Sequence, residues 1–411
     1  MADRQIVART LGRSRAGALA VGQGLALAIP IGLAGGVAGT AFHIAVEQVT
    51  GLRGAHGWLL WLLPAAGLGI VALYQALGCQ GLGTDDVLRT VQEGQPLPLA
   101  LAPAIFLGAV LTHLCGGSAG REGAALQIGG SIGWAIGGWE KQSPAGQRCA
   151  AMCGMAALFS ALFGTPLAAA MFAVTVAQVG DSFALALAPS LAAAVIASGV
   201  SAAAGIPPTA FAVEMPALTG RTALQAAGLG VACAAVTRGF CWVLHQSKHL
   251  LARYLPGPYL RAAAGGLAVA VLSWLLGGRY CGAGMDVIAQ AVEQGRALPW
   301  DFVCKALLTA LTLGAGFKGG EVVPSFFVGA CFGCVAGPLL GLPAGAAAAI
   351  GLVSVFCGAT NTPAASILLA VELFGGQGAA LCAIGCVLCF WLSGSHGLYE
   401  AQQFARPKLG A

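Results

Sequence analysis

Residues 116–133 read GGSAGREGAALQIGGSIG, and they set Arg121 beside Glu122 in a stretch that is otherwise small and apolar. Gly117 and Gly120 precede the pair, Gly123 follows it, and an uncharged run continues from Ala124 to Gly138. This pattern predicts a tight loop feeding the N-terminus of a buried helix. Glycine permits close backbone approach, and the first turn of any helix leaves its N–H groups without intrahelical partners. Those N–H groups, at the positive end of the helix dipole, form a place for an anion. A carboxylate there, Glu122, can serve as a tethered anion until a free anion displaces it or a proton neutralises it.

The rest of the chain decides where such a helix lies. Of 411 residues, 58% are hydrophobic and 9% charged, with a mean hydropathy of +0.83. A soluble domain carries about 25% charged residues, so this chain cannot clothe itself for water. It reads as all-α and polytopic, with the lipid bilayer as its solvent. The apolar runs are long and continuous, which excludes the alternating pattern of a β-barrel. The 63 glycines suit helices packed closely in lipid, and helices broken where their backbone is buried in protein. A net charge of +5 gives no reason to invoke nucleic acid. The 14 cysteines are scattered through apolar runs without metal-ligand spacing and read as small hydrophobes. No nucleophile set, phosphate loop or cofactor motif appears, so the chain is not read as an enzyme.

Apolar segments are expected at about 17–47, 57–79, 98–115, 124–139, 148–178, 182–204 and 220–245. They continue at about 259–277, 301–316, 322–341, 344–358, 361–375 and 378–394. Several are shorter than the roughly 20 residues a bilayer needs, and 148–178 is expected to break near Gly164-Thr165-Pro166. The first basic residues, Arg4, Arg9, Arg13 and Arg15, place the N-terminus in the cytoplasm by the positive-inside tendency. Arg406 and Lys408 suggest the same side for the other end.

The chain repeats itself. Asp86-Val87 recurs as Asp286-Val287, each followed by a polar amphipathic stretch. Gly120, Gly129 and Gly133 recur as Gly320, Gly329 and Gly333, and Thr165-Pro166 as Thr362-Pro363. These landmarks keep one order, so the chain is read as a duplication. The expected division is a basic segment 1–16, half-repeats 17–204 and 205–405, and a tail 406–411 with no regulatory domain after it. Paired, interrupted segments in two halves point to a site at their interface.

The ordered set of motifs resembles the CLC family of chloride channels and anion/proton antiporters. GREG at 120–123 with its QIGG continuation carries the likeness, as do GGEVVP at 319–324, the segments LFGTPLAAAMF and GATNTPAASILLAVELFG, and the tyrosine in SGSHGLYEAQ. The resemblance implies a fold of tilted and broken helices in two pseudo-symmetric, inverted repeats, and a homodimer in a bacterial inner membrane. It implies that Glu122 is the gating and proton-carrying glutamate. Gly120, Arg121, Gly123, Ala124, Leu82, Gly83, Val322, Val323 and Tyr399 are then expected around the anion, with Arg121 chiefly structural.

Three departures narrow the reading. Glu321 stands where most relatives carry an apolar residue, and this is similar to the fluoride/proton antiporter branch; the plain alternative is an ion pair with Lys318. Leu82 takes the place of a serine whose hydroxyl contacts chloride in typical members; the fluoride branch commonly has methionine there. The run Phe172-Ala173-Val174-Thr175-Val176-Ala177 lacks the inner glutamate of chloride/proton antiporters. The expected activity is fluoride export against proton entry, with no cofactor or metal. A chloride transporter or channel of the same family is the alternative, and a non-transporting receptor or scaffold a further one. Glu372 and Asn361 are read either as serving the path or as hydrogen-bonding across the halves, and His113 and His396 are expected to hydrogen-bond within the fold.

Overall fold

The computed structural model describes residues 2–177 and 183–402, with side chains over 21–177 and 185–402. The first half contributes α1 (Ala2–Ala55), α2 (Leu63–Ala76), α3 (Thr84–Glu93), α4 (Leu101–Leu114), α5 (Glu122–Trp139), α6 (Pro144–Phe163), α7 (Pro166–Ala177) and α8 (Phe183–Ala203). The second contributes α9 (Gly220–Tyr254), α10 (Pro258–Leu275), α11 (Met285–Glu293), α12 (Asp301–Gly314), α13 (Val322–Ala336), α14 (Ala344–Thr360), α15 (Pro363–Phe374) and α16 (Ala379–Leu392). The order repeats helix for helix. So does the packing: α1 lies on α4, α6 and α8 as α9 lies on α12, α14 and α16, while α2 meets α10, α5 meets α13 and α7 meets α15.

Local chemistry explains the breaks. Gly164 caps α6 in the left-handed region at φ 69°, and Pro166 then opens α7, a position where its missing N–H costs nothing. Asn361 plays the same part at φ 57° between α14 and α15. The amphipathic stretch after Asp86 is α3, whose N-terminal Gly83 N–H donates to Asp86 Oδ2 at 2.8 Å.

Two hairpins, α5–α6 and α13–α14, form the buried centre. A Cβ on Gly129 would run into the carbonyl of Gly154, and one on Gly329 into that of Gly351. The recurrent glycines are therefore helix-crossing points. Around them α1, the Gly57–Ala76 span that ends in α2, α8, α9 and α10 are long and apolar enough to cross a membrane, whereas α4, α7 and α13 to α16 are shorter. Outward side chains such as Val37, Leu224 and Leu260 are at least 60% exposed, a surface that suits lipid and not water. The 35 residues of Val21–Ala55 rise about 50 Å at 1.5 Å each, so they cross obliquely or project beyond the hydrocarbon.

Some expected boundaries move. The helix expected from 17 is already helical at Ala2, that expected to end at 245 continues to Tyr254, and the segment from 57 opens as a 3-10 turn over Gly57–Leu62. Arg406, Lys408 and the tail 406–411 lie outside the described residues. All 14 cysteines are free thiols, buried apart from Cys149 and Cys304.

Candidate anion site at the crossing of two helix N-termini

Near the centre of their contact the two halves are joined by a short antiparallel bridge. Gly120 N–H donates to the Gly320 carbonyl at 2.7 Å, and Gly320 N–H returns the bond at 2.8 Å. Antiparallel pairing of equivalent residues is what a local two-fold produces, and the loops before the bridge obey it too. Ser118 N–H donates to Thr312 Oγ1, and Lys318 N–H to Thr112 Oγ1, each at 3.2 Å. Each chain then turns directly into a helix, so the N-termini of α5 and α13 converge.

Glu122 is fully buried at this convergence. Its Oε2 accepts the Arg121 N–H at 2.9 Å and the Val323 N–H, from the first turn of α13, at 3.3 Å. Its Oε1 is buried without a partner. The carboxylate is thus held by backbone amides of both halves. It fits only because residue 120 has no side chain: a Cβ there would stand 2.7 Å from Glu122 Oε2 and 2.9 Å from Pro324 Cδ. The amides of Gly123 and Ala124 precede the first bond of α5, which Ala125 makes to the Arg121 carbonyl.

The two-fold relates Arg121 to Glu321, each heading its helix, but their side chains part. The Arg121 guanidinium does not pair with Glu122; its Nη1 lies 3.3 Å from His43 Nδ1, and His43 lies 3.4 Å from Glu47. A structural tie to a carboxylate is thus made through a histidine. Glu321 lines a cavity of about 290 Å3 together with Thr84, Asp85, Gln127 and Lys318. The alternative ion pair does not form. Among the described residues the ion pairs are His43–Glu47, Arg89–Asp86 and Arg279–Asp301, and the Lys318 ammonium lies over the Tyr74 ring, 4.0 Å from its centroid.

Other expected residues take varied places. Gly120 N–H is engaged by the bridge and is not available to an anion. Leu82 is half-buried and packs against the core, and Gly83 lines the cavity while its N–H caps α3. Val322 and Val323 are buried at the head of α13. Tyr399 is buried with its hydroxyl unpartnered, at the wall of a cavity of about 800 Å3 that also meets His245, His249 and His396. His396 is exposed there, which corrects its expected place within the fold, whereas His113 bonds the Ala109 carbonyl at 2.9 Å. Glu372 accepts the Leu167 and Ala168 N–H groups, both at 2.9 Å, and Asn361 donates to Gln402 Oε1.

Sequence reading missed several wall residues. Gln127 donates to Thr84 Oγ1 at 3.1 Å, and Asp85 ties down the C-terminal segment by accepting the Ala401 N–H at 2.9 Å. Arg238, Trp242, His245 and His249 recur at helical spacing on α9 and face the larger cavity. That polar stripe on an apolar helix was the available signal.

The chain matches the family described as voltage gated chloride channel over residues 66–394. It is 36% identical over 394 residues to the chloride/fluoride channel protein of Pseudomonas syringae pv. tomato, covering 93% of this chain and 87% of that one. It is 25% identical to the H(+)/Cl(-) exchange transporter ClcA of Yersinia pestis, over 92% of this chain and 86% of the relative. A crystal structure of a CLC-type fluoride/proton antiporter superposes with a TM-score of 0.88 at 35% identity, over 92% of this chain and 97% of that chain. A slow cyanobacterial Cl-/H+ antiporter shares the fold at a TM-score of 0.77 and 20% identity, over 90% and 94%. These matches place the chain among channels and transporters rather than enzymes. A duplicated, broken-helix membrane fold that aims two helix N-termini at one buried carboxylate is the architecture of an anion carrier, and the chain belongs to the CLC family.

Proposed function

We propose that the protein exports fluoride in exchange for protons, with Glu122 as gate and proton carrier and Glu321 as a second carboxylate on the path. The observation that carries the proposal is the pose of Glu122, whose carboxylate is held by the Arg121 and Val323 amides. An ionised Glu122 fills the anion site and closes it. A protonated Glu122 binds those amides weakly and leaves, and a free anion then takes the same donors. Anion entry is thereby linked to proton uptake, since the two carboxylate states exclude each other from the site. Glu321, on the cavity wall at the head of α13, supplies an ionisable group where the Phe172–Ala177 run has none. Tyr399, with its unpartnered buried hydroxyl, is a donor for an anion in transit. The 36% identity to a chloride/fluoride channel protein and the 35% identity to a fluoride/proton antiporter support fluoride as the cargo.

The same reading makes 17–204 and 205–405 the two half-repeats and the protein a homodimer with one path per subunit. It sets the dimer in a bacterial inner membrane with the N-terminus cytoplasmic, and Arg4, Arg9, Arg13 and Arg15 support that orientation. The test is anion efflux from liposomes, with fluoride and chloride followed by electrode and external pH recorded. Fluoride efflux with proton uptake that disappears in Glu122→Gln is expected. Chloride flux as fast as fluoride overturns the fluoride assignment, and no flux of either anion overturns transport.

A further inference from the structure

We propose that Lys318 is the cation that recruits the anion to the cavity and sets its apparent affinity, a role that rests on the anion-transport reading above. Three observations meet at this residue. Its side chain lines the cavity that Glu321 lines, three residues earlier in the same loop. Its ammonium lies 4.0 Å from the Tyr74 ring centroid, and no carboxylate of the described residues comes within 4.0 Å of it. The ring face attracts a cation through its quadrupole and carries no net charge, so it positions the ammonium without neutralising it. A carboxylate partner would have cancelled the field.

Of the acidic groups on this wall, Asp85 accepts the Ala401 N–H and Asp86 accepts the Gly83 N–H and pairs with Arg89. Glu321 and Glu400 also line it without an ion pair to Lys318, and Lys248 lines it as a second ammonium. The positive charge of Lys318 therefore acts on whatever enters the cavity. A cleft with low-dielectric walls focuses such a field and raises the local concentration of the opposite ion.

The fold itself does not need a lysine there. Its two-fold mate is Ser118, whose N–H bonds Thr312 Oγ1 at 3.2 Å just as the Lys318 N–H bonds Thr112 Oγ1 at 3.2 Å. The same loop is thus built with a serine in one half and a lysine in the other, and the lysine is in the half whose loop borders the cavity. Room for its stem comes from Gly108, where a Cβ would lie 3.0 Å from Lys318 Cγ.

The test uses the full chain in liposomes, with initial efflux measured against internal fluoride concentration at low and high ionic strength, the latter set by an impermeant organic salt. Lys318→Met should raise KM roughly tenfold, equivalent to about 1.4 kcal/mol, with kcat within about twofold. Lys318→Arg should stay near the parent, Tyr74→Leu should fall between, and high ionic strength should move the parent toward Lys318→Met. An unchanged KM in Lys318→Met, an equal defect in Lys318→Arg, or a parent KM indifferent to salt overturns the proposal. The last of these needs no variant, so misfolding cannot shelter it. Chloride is run in parallel: a parent that moves chloride but not fluoride overturns the fluoride reading alone, and Lys318 is then judged on chloride. A parent that moves neither anion sinks both.

Discussion

Gly120→Ala is the substitution whose effect follows most directly from the geometry. The added Cβ would stand 2.7 Å from Glu122 Oε2, 2.9 Å from Pro324 Cδ and 3.1 Å from the Gly320 carbonyl oxygen. The last two belong to ring and backbone and cannot move far, so the carboxylate, the free end of a flexible side chain, gives way. Leaving forfeits the bonds from the Arg121 and Val323 amides at 2.9 and 3.3 Å. A hydrogen bond to a charged group contributes about 1.5–3 kcal/mol. Taking roughly 2 for the shorter and roughly 1 for the longer gives about 3 kcal/mol, or about a hundredfold lower occupancy of the closed pose. The expected phenotype is an open site: fluoride efflux rises and the proton-to-fluoride ratio falls, measured together by electrode and pH in liposomes. Monodisperse elution and retained helicity establish that the variant has folded. A folded Gly120→Ala with parental flux and parental coupling would refute the idea that space over residue 120 seats the gate.

Glu321→Gln keeps the shape of the cavity wall and removes its ionisable group, so proton uptake should fall more than fluoride binding; equal losses would assign it to anion binding alone. Glu372→Gln leaves one acceptor for the two N–H groups at the head of α7 and should cost about 1–2 kcal/mol, seen as a lower unfolding midpoint with unchanged flux per folded protein. Gly154→Ala forces a methyl against the Gly129 carbonyl and within 3.0 Å of the Gly133 amide. It should destabilise by about 1–3 kcal/mol or more, read as poor recovery of folded protein from the membrane.

The parts of this structure that were legible in the sequence are those written in composition and periodicity. Sparse charge gave the membrane, and the shared spacing of Gly129–Gly133 and Gly329–Gly333 gave the duplication because each glycine lets a neighbouring helix approach. Glu122 stood out because a charge in an apolar helix is costly. What stayed hidden depends on contacts between distant backbones. Nothing in the spacing of Gly120 shows that its N–H is spent on Gly320, or that Glu122 reaches an amide of the other half at Val323. The Lys318–Glu321 pair was a sound guess from neighbours in sequence, but the Tyr74 ring on α2 outcompetes it. Nothing near Asp85 in the sequence marks its role, since its partner, the amide of Ala401, lies at the far end of the chain.

The backbone-to-backbone crossings of α5 with α6 and α13 with α14 bear on how fast this molecule can work. Helices whose carbonyls rest against the Cα of a facing glycine cannot slide or rotate past one another without losing contact along their length. The two converging N-termini therefore stand on a stiff frame, and on the proposed mechanism the cycle of opening is carried by the Glu122 side chain. Such a local rotation moves few atoms, unlike the collective helix motions that take microseconds to milliseconds. If Glu122 gates as proposed, proton delivery and the escape of Glu122 from its amides pace turnover, and the rate should follow pH and anion concentration more closely than the fluidity of the surrounding lipid.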